Sequence, residues 1–269
     1  MDKKELTEEQ KKQRIGFTFI NKQGSTFKVI EYINTRNVLV EAQDKFKFKK
    51  WTTWSNISKL NVKNPYHPDV FGVGITGNQV PIIENGKPTK EYNTWHHMLR
   101  RCFDEEWKIE HPYYKDVTCC EEWLYYPNFY NWLHEQENFE KWKSITKSAL
   151  DKDILLKGNK LYSPDRCFLV TQRVNSLFTN RRNYRGNLPV GITLNTGNNI
   201  TRPYEASVFV NGKNKYIGIY TTPEKGFYLG YKPEKERIIK QVAEEEYMNG
   251  NISKQCYEAM LRYEVEITD

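Results

Sequence analysis

Basic side chains gather in one segment of this chain. Between Thr179 and Lys240 there are eleven Lys and Arg residues and four Glu residues, so this segment carries a formal charge of +7, as does the whole chain of 269 residues. Such a surface attracts phosphate groups regardless of base sequence, whereas specificity requires side chains that reach base edges. The segment therefore predicts nucleic-acid binding, with an ordinary solvated basic surface as the alternative.

The residues between these cations predict a β-hairpin. Apolar and other side chains alternate from Ala206 to Val210, which is the period of a strand with one packed face and one presented face. Asn211-Gly212 follows as a tight-turn dipeptide and leads into a second run. Thr222 is a predicted helix N-cap, with Pro223 in the first helical position. Apolar residues then recur at helical spacing, namely Phe227, Tyr228, Tyr231 and Ile238.

With these runs in view, the stretch from Asn187 to Tyr231 resembles an AP2-type integrase-like DNA-binding domain. The runs that match the family pattern are Gly191-Ile192, Tyr204-Glu-Ala206, Gly212-Lys213, Tyr216-Ile-Gly218-Ile-Tyr220 and Thr222-Pro-Glu224-Lys-Gly226-Phe227. The resemblance implies a three-stranded sheet backed by one helix, with double-stranded DNA as the partner. We expect base or phosphate contacts from Arg202, Lys213 and Lys215, flank packing from Tyr204 and Tyr216, and a groove-tracking linker that contains Arg181, Arg182 and Arg185.

A second segment, from Leu150 to Phe178, reads as strand, loop, strand and helix. It resembles the ββα-metal core of HNH endonucleases, in which an Asp-His pair places a general base beside a divalent metal. Asp151 fits the acidic position, Ser163 falls where the family has its middle Asn, and Asn175 fits the helix position. Lys152 takes the place of the histidine.

That substitution bears on the chemistry, because a protonated amine cannot accept a proton from water and repels a metal ion. The interpretation we favour is a degenerate nuclease scaffold. One alternative is an active enzyme that uses Asp151 and Asp153 with Mg²⁺ or another divalent cation and an unconventional base. The other is an ordinary surface turn. No other cofactor is implied.

Composition and length predict a modular α+β protein. The expected parts are a lead-in (1–15), a small β-rich, barrel-like module (16–78), a helical and HNH-like ββα domain (90–180), an AP2-like domain (181–245), and a C-terminal helix with an acidic tail (246–269). Aromatic residues around Trp95 and Trp123 repeat at helical intervals and are expected in the core. Cys102, Cys119, Cys120 and Cys167 match no CxxC spacing, which argues against a zinc site.

This order of parts is similar to phage-borne proteins grouped with HNH homing endonucleases, which implies a viral or mobile-element setting. The leading hypothesis is therefore a double-stranded DNA-binding protein on a degenerate HNH scaffold. The alternatives are a metal-dependent homing or nicking endonuclease, and a viral protein that binds a host defence or regulatory factor. No apolar run approaches the ~18 residues that a membrane span needs, and Met1 to Ile15 lacks the apolar middle of a secretory signal, so a cytoplasmic location in a bacterial host is expected.

Overall fold

A computed structural model describes residues 7–178, 187–197, 201–210 and 212–269 and divides the chain into two compact units. The first unit runs to Lys115 and also includes Glu121–Tyr130. The second comprises Asp116–Cys120 and Asn131–Asp269. Both units mix helices and strands, so the predicted α+β class is confirmed. Within the described ranges, no helix combines the length and the apolar character that crossing a membrane requires.

The first unit begins with a short helix and a four-stranded sheet. These elements are α1 (Glu8–Lys12), β1 (Thr18–Ile20), β2 (Thr26–Asn34), β3 (Asn37–Ala42), β4 (Lys49–Thr52) and α2 (Trp54–Ser58). A capping box begins α1, since Thr7 accepts a hydrogen bond from the backbone of Gln10 and the Gln10 side chain accepts one from the backbone of Thr7.

The sheet is an open antiparallel meander, so the predicted barrel-like form of residues 16–78 is wrong. Its strand order is β1-β2-β3-β4, and the outer strands β1 and β4 do not pair with each other in the described structure. Four strands are too few to close around filled space, since small barrels use about eight. Instead, Ile57 of α2 and Val62 cover the inner face beside Val29 and Val40.

Aromatic side chains form the core of the helical part of this unit, as the sequence predicts. Its elements are β5 (Ile83–Glu84), β6 (Lys87–Pro88), α3 (Lys90–Phe103), α4 (Glu105–Glu110), 3₁₀ turns at Pro112–Tyr114 and Glu121–Leu124, and α5 (Tyr126–Glu135), which continues into the second unit. Trp95 is fully buried, and its indole nitrogen donates to the carbonyl of Trp123 at 2.6 Å. These aromatic rings are therefore structural.

The second unit holds both segments that resemble DNA-associated families. Its further elements are β7 (Thr118–Cys119), α6 (Phe139–Ser144), β8 (Ser148–Asp151), β9 (Leu161–Tyr162), β10 (Phe168–Thr171), α7 (Gln172–Leu177), β11 (Ile192–Leu194), β12 (Tyr204–Val210), β13 (Lys213–Tyr220), α8 (Pro223–Gly226), a π-helical turn (Phe227–Tyr231), α9 (Lys232–Met248) and α10 (Lys254–Leu261). β8 pairs antiparallel with β10, and β11, β12 and β13 form an antiparallel sheet in that order.

One apolar core joins these elements. Phe168 and Val174 of the ββα segment belong to the same buried cluster as Val208 of the sheet, Ile239 of α9 and Met260 of α10. The boundaries that the sequence suggested near residues 180 and 245 therefore fall within one packed body. The inner face of the three-stranded sheet shares its buried cluster with residues of the ββα segment, α9 and α10.

Candidate functional site

The segment that resembles the ββα core contains β8, β10 and α7 in the predicted order, and the two-residue strand β9 lies in the loop between β8 and β10, where it pairs with β7. Strand β8 ends at Asp151, which lies opposite Phe168 at the start of β10. Strand β10 ends at Thr171, whose hydroxyl accepts from the backbone nitrogen of Val174 at 3.2 Å and caps α7. The loop between the two strands carries the residues that the HNH resemblance singles out.

Asp151 holds the first turn of this loop. Its side chain is buried, and Oδ1 accepts hydrogen bonds from the backbone nitrogens of Asp153 and Ile154, both at 2.8 Å. Loss of solvent on burial raises the pKa of this carboxyl to about 6, against the lowering effect of the two backbone bonds. One oxygen of Asp151 is thus committed to the backbone of its own loop.

Lys152 is a buried cation with its partners already in place. Its Nζ atom lies 2.7 and 2.9 Å from the two carboxylate oxygens of Asp153 and donates to the carbonyl of Asn159 at 2.6 Å. The side chain is only 9% exposed. The ammonium therefore neutralises the carboxylate that a divalent metal would need, and it cannot serve as a general base while it holds these bonds. This donor set does not fit a catalytic metal.

Asn159 performs the loop-closing role that the sequence assigned to Ser163. Its amide nitrogen donates to the carbonyls of Lys152 at 3.0 Å and Leu161 at 2.7 Å, and its amide oxygen accepts from the backbone of Leu161 at 3.1 Å. Ser163 instead donates to Asp165 at 2.6 Å, which is the main reason why the pKa of Asp165 is lowered. The Gly158-Asn159 turn dipeptide was the signal for this role.

The remaining predicted position, Asn175, is half-buried within α7. The loop brings together Asp151, Lys152, Asp153 and Asn159, with Ser163 two residues from Asp165. Across the described ranges, no three His, Cys, Asp or Glu side chains are grouped so that they could hold a metal ion. Asp151 and Asp153 therefore belong to no such group, and neither do the cysteines.

The three-stranded sheet has two faces of different character. On the inner face, Ala206 and Val208 are buried against the core. Lys215 lies directly opposite Val208, and because facing residues of antiparallel strands project to the same side, Lys215 also belongs to the inner side. Its Nζ atom reaches Glu234 of α9 at 2.7 Å.

A β-bulge sets which residues of β13 face outward. Ala206 pairs with Gly218 and Ser207 pairs with Tyr216, so Ile217 is the extra residue. Ile217 packs on the core, which places Tyr216 and Ile219 together on the outer face. The outer face comprises Thr193, Glu205, Ser207, Phe209, Asn214, Tyr216 and Ile219.

Three large apolar side chains on this outer face are exposed. Phe209, Tyr216 and Ile219 have 54%, 57% and 47% of their surface in solvent. Tyr204, which we expected to flank DNA beside Tyr216, instead packs partly into the core from the inner face. The outer face therefore offers aromatic and aliphatic groups next to the amide of Asn214 and the hydroxyls of Thr193 and Ser207.

The cations of the sheet and of α9 differ in burial and pairing: some are buried or ion-paired, and others are exposed without an ion-pair partner among the described residues. Lys235 is buried, and loss of solvent lowers its pKa to about 8, while Arg237 and Lys215 share Glu234 and hold the pKa of that carboxyl near 2. Between residues 187 and 240, the exposed cations that form no ion pair with other described residues are Arg202, Lys213, Lys225 and Lys240. The positive charge available to a ligand is thus smaller than the sequence count. Arg181, Arg182, Arg185 and the turn residue Asn211 lie outside the described residues.

The sheet and the ββα loop thus differ in what they can do chemically. The sheet presents exposed hydrogen-bonding and apolar groups with cations at its margin, whereas the loop binds its own charged groups internally. No protein-family model, curated protein or solved structure matches the chain. Functional interpretation therefore depends on this geometry.

Proposed function

We propose that this chain is a double-stranded DNA-binding protein of phage or mobile-element type, built on a degenerate HNH-like scaffold. The observation that carries the proposal is the exposed outer face of the three-stranded sheet, where Phe209, Tyr216 and Ile219 stand beside Asn214. Strands of a β-sheet can enter the major groove of B-DNA, where base edges present hydrogen-bonding groups and the thymine methyl.

Phosphate contacts come from the margin of the sheet. Arg202 lies two residues before β12, and Lys213 begins β13. Both are exposed and form no ion pair with the described residues. Lys213 pairs with Val210 of the inner side at the end of the hairpin, so its long side chain reaches a bordering phosphate by extending past that end, while the outer face is left for bases. Lys215 contributes less, because Glu234 already holds its ammonium.

The ββα element supports binding without hydrolysis. The Lys152 ammonium is satisfied by Asp153 and by the carbonyl of Asn159, so neither a general base nor a metal-binding carboxylate pair is assembled. The element still buries Phe168 and Val174 in the core that supports the sheet. Its contribution is a scaffold for the DNA-binding surface.

The experiment is a fluorescence-anisotropy titration of a duplex selected from a random pool, repeated at several salt concentrations. The logarithm of the binding constant should fall by about 0.9 per phosphate contact for each unit of log salt. Replacing Arg202 and Lys213 together by Gln should reduce the magnitude of that slope by the equivalent of about two phosphate contacts. The matched control replaces two other exposed lysines by Gln, namely Lys59 at the C-terminal end of α2 and Lys254 at the start of α10. This control should leave the slope unchanged.

Two results would contradict this proposal. One is binding that does not weaken as salt rises. The other is an equal loss of slope in the control and in the Arg202/Lys213 variant, because the charge change would then act without regard to position. Association with a host protein that survives nuclease treatment, in the absence of any duplex binding, would favour the host-factor alternative.

A further inference from the structure

The outer face of the sheet has a composition that selects among base pairs. Its described residues include two strongly apolar side chains, Phe209 and Ile219, and one carboxamide, Asn214. None of its described residues is Lys or Arg, because the β13 lysines project to the inner side opposite Val208 and Val210. The face is therefore apolar and hydrogen-bonding in character, and Glu205 is the one charged residue among its described members.

These groups match adenine and thymine. In the major groove the only apolar group is the C5-methyl of thymine, and a carboxamide pairs in bidentate fashion with N6 and N7 of adenine. Guanine is read most often by Arg or Lys, which the described part of this face lacks. Glu205 is the exception on this face, because a carboxylate accepts from the N4 amine of cytosine, so the preference for A·T depends on the apolar side chains and Asn214.

We propose that the outer face selects A·T base pairs by packing Phe209 and Ile219 against thymine methyl groups, with Asn214 hydrogen-bonded to adenine. This inference rests on the proposed DNA-binding function and names its target class. Ile219 lies opposite Glu205, which is four residues from Phe209 along β12. Four residues of strand span about 13 Å, or roughly four base-pair rises of 3.4 Å. Two methyl contacts about four base pairs apart are therefore expected when the strand follows the groove.

The test compares the full chain on matched duplexes. A selected A·T-containing duplex is the reference, a G·C-substituted duplex tests preference, and a duplex with deoxyuridine in place of thymidine removes only the methyl groups. Each lost methyl should weaken binding about fourfold, which is the factor for burying one methylene-sized group. In Phe209→Ser and Ile219→Ser the uracil effect should shrink, because the partner of one methyl group is gone.

The control variant is Leu229→Ser. Leu229 is 68% exposed in the π-helical turn and is not on the outer face, so this variant should keep the full uracil effect. Since all three altered side chains are exposed, thermal melts should show that each variant folds.

The outcomes separate this inference from the proposed function. Duplex binding that favours G·C pairs, or that is indifferent to uracil, would overturn the A·T inference and leave DNA binding intact. Failure to bind any duplex would remove both. Tighter binding to single-stranded DNA than to duplex would also overturn the inference, because the exposed rings would then serve to stack on unpaired bases.

Discussion

Gly191 lies against the ring of Tyr231 so closely that a Cβ atom on the glycine would be 1.9 Å from Cδ2 of the ring. Gly191 precedes β11 and has a φ of +74°. Both the closeness of the Tyr231 ring and this left-handed backbone conformation therefore disfavour a side chain at this position. The contact fixes the first strand of the sheet on the π-helical turn.

Gly191→Ala should destabilise the second unit strongly. The left-handed backbone costs about 1–2 kcal/mol for alanine, and overpacking against Tyr231 adds about 1–3 kcal/mol. Urea unfolding followed by fluorescence measures the change. Gly212→Ala is the matched control, since its φ is +79° but a Cβ there meets nothing within 4 Å. Equal losses in the two variants would show that the Tyr231 contact is unimportant.

Glu246 is expected to be a stability residue. It is buried in α9 and accepts hydrogen bonds from Thr171 at 3.0 Å, Asn251 at 3.0 Å and Arg173 at 3.1 Å. Glu246→Ala removes the acceptor of these bonds, although Arg173 keeps its bond to Glu245, and should lower the free energy of unfolding by about 2–4 kcal/mol. Glu244→Ala, on the exposed side of the same helix, should change it by less than about 0.5 kcal/mol. A small loss at Glu246 would indicate that water replaces the carboxylate.

Asp151→Asn should alter the pH dependence of stability. The folded pKa of Asp151, about 6, lies above its ordinary value of 3.8, so the folded state binds more protons between these values and stability from this group falls as pH rises through them. Asparagine keeps an oxygen for the two backbone donors but carries no charge. The variant should therefore gain about 1–3 kcal/mol relative to the parent between pH 4 and pH 7.5. Parallel stability curves would contradict the raised pKa.

Supercoiled plasmid incubated with the chain and Mg²⁺ or Mn²⁺ should remain intact. The physical reason is the ion pair between Lys152 and Asp153, which occupies the groups that would bind metal and activate water. Gel electrophoresis gives the result directly. Nicked or linear product that disappears in Asp151→Ala would instead establish the metal-dependent nuclease and refute the degenerate-scaffold interpretation.

Lys213→Gln should weaken duplex binding more than Lys215→Gln. Lys213 is exposed without an ion-pair partner among the described residues, whereas Lys215 shares Glu234 with Arg237. Loss of one phosphate contact should remove about 0.9 from the salt slope for Lys213, with a smaller change for Lys215. The opposite order would mean that DNA displaces Glu234 from Lys215.

Local signals in the sequence predicted local structure well. Thr222 caps α8 by accepting from the backbone of Lys225, with Pro223 in the first position, because capping depends on only a few adjacent residues. The alternation of Ala206 and Val208 with Ser207 and Phe209 likewise gave the correct faces of β12, since that pattern follows from strand geometry alone.

Features that depend on distant pairing could not be predicted in the same way. The bulge at Ile217 reverses the alternation of β13, so the outward side of Ile219 depends on its register with β12. The Lys215 side chain likewise projects to the inner side because Lys215 pairs with Val208. The open form of the N-terminal sheet depends on whether β1 meets β4, which no local run encodes. The hydrogen bond from the Lys152 ammonium to the carbonyl of Asn159 depends on the fold of the loop, because the turn brings Asn159 close to Lys152.

The shared core from Ile154 to Val265 has a consequence for how this protein can be taken apart or recombined. Cleavage near residue 180 would leave Phe168 and Val174 on one fragment and Val208 on the other. Each fragment would then lack part of the apolar cluster that buries these side chains. A chimera that received the sheet alone would therefore expose apolar surface and fold poorly. To cover that surface, α7, α9 and α10 would have to be transferred together with the sheet.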